Sequence, residues 1–420
     1  MRFYFPDSQD QIDPSFDFES EVRSPHRIRQ RDDLYAHEIL EPCPYDGMLI
    51  SKAIVDGVEG GAGKYSAQQR QRLYRVGIRE FFRLDTVDGP RIDTIGDCGA
   101  FNYVREEAPP YSVDEVIDFY LGIGVDAGIS LDHVILGFEL HPRLSENLLP
   151  AEWTERRELT LELAERFIVR HRERGCSFDP IGVAQGWSPD SYADSVGRLQ
   201  DLGYERIAIG GLVAQKTPEI LAVLEAIDDK RAAGVELHLL GVTRTDQVAL
   251  FQRYGVASFD STSPFRQAFK DDWDNFHGPD RTWIALRIPQ VDANPKLQRR
   301  IRAGEVDGRA ARRLEQQALR AVRAYERGEA DIGAAVGALR AYEVLHDDRR
   351  DRTAPYAEML ADAPWRLCDC EICNSAGVEV AIFRGTERNK RRGFHNLHVF
   401  RKRLEQQLAT ATHPQPIGVG

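Results

Sequence analysis

Residues Ile181–Leu212 read IGVAQGWSPDSYADSVGRLQDLGYERIAIGGL. A β-rich run, Ile181–Ala184, gives way to an amphipathic stretch, Pro189–Leu202, and then to a second β-rich run, Arg206–Ile209. That is one βα unit leading into the next strand, the pattern of a parallel sheet. The same alternation recurs outward from it, at intervals of roughly 30 residues. The further candidate strands are Gly47–Ser51, Ile92–Gly96, Gly128–Leu131, Glu236–Leu240, Val256–Phe259 and Trp283–Ile288. Amphipathic stretches such as Ala67–Phe82, Val113–Leu121, Ala151–Arg174 and Pro218–Ala233 lie between them. Eight strands with intervening helices predict an α/β fold, a (β/α)8 TIM barrel, rather than an open doubly wound sheet. No Gly-x-Gly-x-x-Gly opens a helix after the first strand, which counts against a dinucleotide site.

Composition agrees with a globular chain. Of 420 residues, 42% are apolar and 29% charged, which excludes wholesale disorder and low-complexity architecture. No run approaches the roughly 18 uncharged apolar residues of a membrane span. The opening Met-Arg-Phe-Tyr-Phe-Pro-Asp lacks the apolar core of a signal peptide, so a cytoplasmic protein with no membrane partner is expected. The predicted organisation is an acidic N-terminal cap over 1–44 and a barrel over 45–294. A basic helical insertion over 295–346 follows, then a zinc-binding subdomain with a basic C-terminal helix over 347–420, fraying from Ala409.

Charge is unevenly distributed. The net charge is −12, yet Lys296–Arg327 carries ten basic and four acidic residues, and Arg384–Arg403 eight basic and one acidic. The rest of the chain is therefore strongly acidic. Two basic segments around a metal motif point to polyanion binding, with Arg388, Lys390, Arg391 and Arg392 as candidate phosphate contacts. Arg299, Arg300, Arg302, Arg312 and Arg313 of the insertion are the companion set.

The metal motif is Cys368-Asp-Cys370-Glu-Ile-Cys373, followed 22 residues later by His395. Three thiolates and one imidazole make a closed tetrahedral zinc site, structural because no position is left for water. His398 competes as fourth ligand. Cys43, Cys98 and Cys176 are isolated and read as unliganded.

In such barrels chemistry sits at the C-terminal ends of the strands. Those ends carry Asp97, Asp132, Gln185, Gly210, Gly211, Gly241 and Asp260. A strand-end aspartate is often only a helix N-cap. A whole ring of polar ends is better explained by a site, in which one of Asp97 and Asp260, on the second and seventh candidate strands, serves as nucleophile and the other as acid/base.

These residues resemble the tRNA-guanine transglycosylases, which are zinc-containing (β/α)8 barrels. Cys-x-Cys-x-x-Cys with His395-Asn-Leu is similar to the zinc motif of that family. Asp97-Cys-Gly-Ala-Phe101-Asn stands where the family has Asp-Ser-Gly-Gly-Phe/Tyr-Gln. Gly182-Val-Ala-Gln185-Gly186, Gly210-Gly211-Leu212, Leu240-Gly241-Val242 and Phe259-Asp260-Ser-Thr-Ser-Pro264-Phe-Arg266 match four further motifs in order. The departures are Cys98-Gly-Ala for Ser-Gly-Gly, the helical insertion and the opening Phe3-Tyr-Phe-Pro-Asp run. These look like the DpdA-type branch, which exchanges guanine in DNA for a 7-deazaguanine.

The resemblance implies Asp260 as nucleophile on C1′ and Asp97 as acid/base. It implies Asp132, Gln185, Gly210 and Gly211 as readers of a guanine-like edge, Phe101 and Leu240 as the base sandwich, and Arg266 as a nucleic-acid contact. It implies one structural zinc, DNA and a 7-deazaguanine base (7-cyano-7-deazaguanine) as partners, and leaves room for an ATPase partner protein that opens the duplex. The alternatives are a transglycosylase acting on tRNA and a non-catalytic, zinc-containing nucleic-acid-binding subunit. The presence of both Asp97 and Asp260 speaks against the latter. A metal-dependent hydrolase barrel lacks its His-x-His pair here.

Overall fold

A computed structural model describes residues 1–412 except 8, 59–62, 86–88 and 141–148; the end of the expected frayed tail lies outside the described residues. The chain divides into two compact units, Met1–Gln9 with Tyr45–Thr262 and Leu404 onwards, and Asp10–Pro44 with Ser263–Arg403.

The first unit is a closed barrel of eight parallel strands. They are β1 (Arg2–Pro6), β2 (Gly47–Ser51), β3 (Asp93–Asp97), β4 (Ala127–Ile129), β5 (Asp179–Ala184), β6 (Arg206–Ile209), β7 (Glu236–Leu239) and β8 (Val256–Asp260). Seven of the expected strands are present with ends shifted by at most two residues. The eighth is not. Residues 283–288 form only two-residue strands, Thr282–Trp283 against Phe276–His277 and Leu286–Arg287 against Ile382–Phe383. The barrel is closed instead by β1, from the segment expected to be an irregular cap, which pairs with β2 on one side and β8 on the other. Its Phe3, Tyr4 and Phe5 are at most 3% exposed. Asp97 and Asp260 thus end the third and eighth strands.

Alternation along each strand decides which side chains face the barrel interior. Tyr4, Leu49, Ile95, Ile129, Ile181 and Val183 pack there as one cluster. Outward-facing Gly96 and Gly128 leave room for Tyr120 of the helix Val113–Ile123, whose ring a Cβ at either position would strike. Because Gly96 faces out, Ile95 and Asp97 face in. Outward Phe3 and Phe259 stack at 5.3 Å between centroids, which turns Ser258 and Asp260 inward.

The second unit holds the expected helical insertion, as helices Pro295–Arg302, Gly308–Glu326 and Ile332–His346, together with the metal motif. It corrects the reading of the second basic run. Arg388, Arg391 and Arg392 are at most 5% exposed and bind the chain's own acids and carbonyls. Arg388 donates to Glu21 Oε1 (2.6 Å) and Glu379 Oε2 (2.7 Å), and Arg391 to Glu387 Oε2 (2.8 Å) and Asp13 O (2.6 Å). Arg392 reaches the carbonyls of Ala268, Val380 and Ile382. Lys390 Nζ donates to Gln11 O at 3.0 Å. Burial opposes ionisation of Glu21, yet the guanidiniums of Arg384 and Arg388 hold its carboxyl down at about 2. Arg388, Lys390 and Arg391 are thus an internal clamp on residues 10–23 rather than phosphate contacts.

Candidate active site and metal centre

The strand ends bring Asp97, Asp132, Gln185 and Asp260 into one electrostatically coupled group. Burial pushes the Asp97 carboxyl up to about 7, reinforced by the charges of Asp132 and Asp260 and opposed by the Gly99 amide and the Ser51 hydroxyl. Part of its surface stays open. Asp132, only 2% exposed, is pushed up to about 6 by burial against the hydrogen bonds of Gln185 and Cys98. Gln185 Nε2 donates to Asp132 Oδ2 at 2.6 Å, and Cys98 Sγ donates to Oδ1 at 3.3 Å. The Tyr103 hydroxyl lies 3.0 Å from Cys98 Sγ and 3.2 Å from Asp132 O, fixing that thiol.

Gly210 and Gly211 make space for Gln185. A Cβ on Gly210 would strike its amide, and one on Gly211 would sit 3.0 Å from both Gln185 Oε1 and Ile135 O. Gly211 also holds φ at +79°, a conformation that favours glycine. Phe101, on the short helix Ala100–Asn102, is 51% exposed, and Leu240 is half-buried against the interior cluster. Arg266 is half-exposed on the helix Ser263–Lys270 of the second unit.

The sequence reading missed His238. A register shift between Leu237 and His238 puts one extra residue, Ala257, on β8, and this bulge faces His238 with Ser258 and Asp260. His238 Nδ1 is 2.8 Å from Ser258 Oγ, and its Nε2 is 3.2 Å from Asp260 Oδ1. A hydroxyl that donates to Nδ1 leaves the proton on Nε2, aimed at the carboxylate. Gly241 N–H donates to the same Oδ1 at 2.9 Å. Both donors fall on Oδ1 rather than Oδ2. Strand alternation was the available signal, since His238 lies two residues before Leu240 and Ser258 two before Asp260.

The raised Asp97 pKa has a thermodynamic consequence. The unfolded carboxyl titrates near 3.9, so the folded state holds the extra proton between about pH 4 and 7. Stability falls as pH rises through that window and is flat above it. Asp97→Asn is therefore expected to raise stability at pH 8 by about 1–3 kcal/mol and to leave it nearly unchanged at pH 4. Urea unfolding at the two pH values measures this; an equal effect at both would mean that Asp97 is not held protonated.

In the second unit the sulfurs of Cys368, Cys370 and Cys373 and the Nδ1 of His395 lie within 4.8 Å of one another. The three Sγ–Nδ1 separations are 3.4, 3.6 and 3.3 Å. A tetrahedral ion with zinc-like bond lengths requires about 3.5 Å. His395 Nε2 lies 2.7 Å from His277 O, which takes its proton and leaves Nδ1 free to ligate. His398 instead faces Asp369 Oδ1 at 3.3 Å, so His395 completes the set. These four residues can hold a metal.

Comparison with known proteins follows the same lines. A family profile described as queuine tRNA-ribosyltransferase matches residues 110–273. A DNA-guanine transglycosylase of Salmonella montevideo is 47% identical over 413 residues, covering 97% of this chain and 98% of that protein. The queuine tRNA-ribosyltransferase of Psychrobacter cryohalolentis is 33% identical over 116 residues, 26% of this chain and 30% of that protein. That of Pseudomonas putida is 32% identical over 113 residues, again 26% and 30%. These two matches to enzymes named for tRNA each cover about a quarter of the chain, whereas the match to the enzyme named for DNA covers 97% of it.

Proposed function

This chain belongs to the tRNA-guanine transglycosylase superfamily, as a member of its DNA type, and we propose that it replaces guanine in DNA with 7-cyano-7-deazaguanine through a covalent aspartyl glycosyl-enzyme. The reaction class is that of a pentosyltransferase. The observation that carries the reading is the set of three coupled carboxyls, Asp97, Asp132 and Asp260, at the strand ends of one barrel. A binding subunit has no use for a buried carboxyl, Asp97, pushed up by burial and by the charges of two neighbouring carboxylates.

Asp260 Oδ2 attacks C1′ as guanine departs, forming the glycosyl ester, while Asp97 gives its proton to the leaving ring nitrogen. In the return half the incoming base loses its ring-nitrogen proton to Asp97, attacks C1′ and frees Asp260. A group titrating at about 7 can serve in both directions near neutral pH. Asp132 accepts from the N1–H and 2-amino group, and Gln185 and the Gly211 amide serve the 6-oxo group. Adenine cannot satisfy that pattern, and unpaired buried polar groups support discrimination of about 10⁴ or more. Phe101 and Leu240 enclose the base.

We assign zinc to the Cys368, Cys370, Cys373 and His395 centre, in a structural role. Phosphate contacts fall to the insertion. Arg309, Arg312, Arg313 and Arg320 share one exposed face of the helix Gly308–Glu326, while Ala311, Ala318, Leu319 and Val322 are buried on another. Arg299 and Arg302 are exposed on Pro295–Arg302, and Arg266 adds a further cation. Among the described residues no helix is long and apolar enough to cross a membrane.

Incubation with labelled 7-cyano-7-deazaguanine and either duplex DNA or tRNA tests the substrate. Label is expected in DNA; label in tRNA alone would assign the chain to the tRNA reaction.

A further inference from the structure

We propose that Leu136 is the side chain that enters the base stack when the target guanine is drawn into the barrel. The inference rests on the reading of the site as a DNA guanine exchanger and adds how the duplex is held open. The segment after β4, residues 130–139, contains no helix or strand, yet its backbone is pinned along its length. Ser130 N donates to Ile181 O at 2.9 Å, and His133 N to Thr160 Oγ1 at 3.0 Å. Arg156 Nη1 donates to Val134 O at 2.7 Å, and Glu139 N to Trp187 O at 2.7 Å. A Cβ on Gly137 would overlap the Trp153 ring, which packs directly on the backbone there.

Within this fixed segment Val134 and Ile135 are 2% and 1% exposed, whereas Leu136 is 59% exposed. A single exposed leucine on a surface needs no explanation. This one has an unusual position. Its neighbour Ile135 donates to Gln185 Oε1 at 3.4 Å, and the Ile135 carbonyl abuts Gly211. Leu136 is therefore one residue from the groups that read the base. Val213, two residues beyond Gly211, is a second apolar side chain at the strand ends, 46% exposed and packed against Gly241.

A base in a duplex must leave its stack to reach Asp260, and the gap it leaves exposes the flanking bases. An apolar side chain on an immobile backbone can fill that gap, as the wedges of other DNA-bending and flipping proteins do. Rigid presentation matters because no ordering of the loop then opposes insertion. Val213 would support the wedge from the neighbouring loop.

The test compares exchange by the full-length wild type, Leu136→Ala and Leu136→Met on three DNAs: a paired duplex, the same duplex with the target guanine opposite an abasic site, and the single strand. Leu136→Ala is expected to lower kcat/KM on the paired duplex by about tenfold or more, and by less than about twofold on the other two. Leu136→Met should retain paired-duplex activity. An equal loss on all three DNAs would place Leu136 in the base pocket or in folding, and no loss on any would leave it a plain surface residue. Either outcome overturns the proposal. Failure of the underlying reading looks different: the wild type itself would exchange guanine in none of the three.

Discussion

Asp260→Ala is expected to abolish guanine exchange, with kcat falling by at least about 10⁴-fold. Loss of the nucleophile removes the covalent intermediate, and no second carboxylate can take over. Asp97, pushed up to about 7, is taken up by the proton transfers, and both oxygens of Asp132 already accept from Gln185 and Cys98. Substrate binding should survive, because Asp260 reads no base edge. The fold should survive as well. Asp260 ends β8, and its removal costs only the hydrogen bonds from His238 and Gly241 to one oxygen. Thermal unfolding and DNA binding measured beside exchange separate these effects. An Asp260→Ala protein that still exchanged base at more than a few per cent of the wild-type rate would move the nucleophile elsewhere.

The second large effect lies at the metal centre. Cys370→Ser is expected to remove the bound metal and unfold the second unit together. Structural zinc sites bind with apparent free energies of about 10–16 kcal/mol, and that energy is folding energy. Cys370 also accepts the Cys373 N–H at 3.4 Å at the start of the helix Glu371–Ala376, a cap that serine can keep, so the loss expected is that of the metal. The centre ties the turn after Pro364–Leu367 to the long helix Gly385–Thr412, which carries both His395 and the clamp of Arg388, Arg391 and Arg392. Metal content by mass spectrometry and the denaturant midpoint should fall in parallel, and a chelator should reproduce the loss in the wild type. A metal-free Cys370→Ser protein as stable as the parent would contradict a structural ion.

Much of this site can be read from the chain because its chemistry is local to strand ends. Each motif couples a β-rich run to a polar or glycine terminus, so Asp97, Asp132, Gln185, Gly211 and Asp260 are visible without knowledge of the packing. The residues of the candidate metal centre are visible for a related reason: thiolates at such spacing have few other uses. What was hidden depends on partners far away in sequence. Phe3-Tyr-Phe is a barrel strand only because β2 and β8 flank it, and acids following it made it look like part of a cap. Arg388, Arg391 and Arg392 look like a phosphate-binding run until Asp13, Glu21 and Phe18, more than 360 residues earlier, close around them. A local charge count cannot see that neutralisation. His238 is placed inward by alternation along β7, but its partners Ser258 and Asp260 depend on the extra residue in β8, which leaves no periodic trace.

Mapping the covalent intermediate tests the central claim most directly. The protein is mixed with duplex DNA containing guanine, denatured before turnover is complete and digested, and the peptides are searched for the mass of an attached deoxyribosyl strand. The expected result is an acid-stable, base-labile adduct on the peptide holding Asp260, formed on DNA and not on tRNA, and lost when 7-cyano-7-deazaguanine completes the exchange. An adduct on any other residue, or exchange into DNA with no adduct at all, would contradict the account.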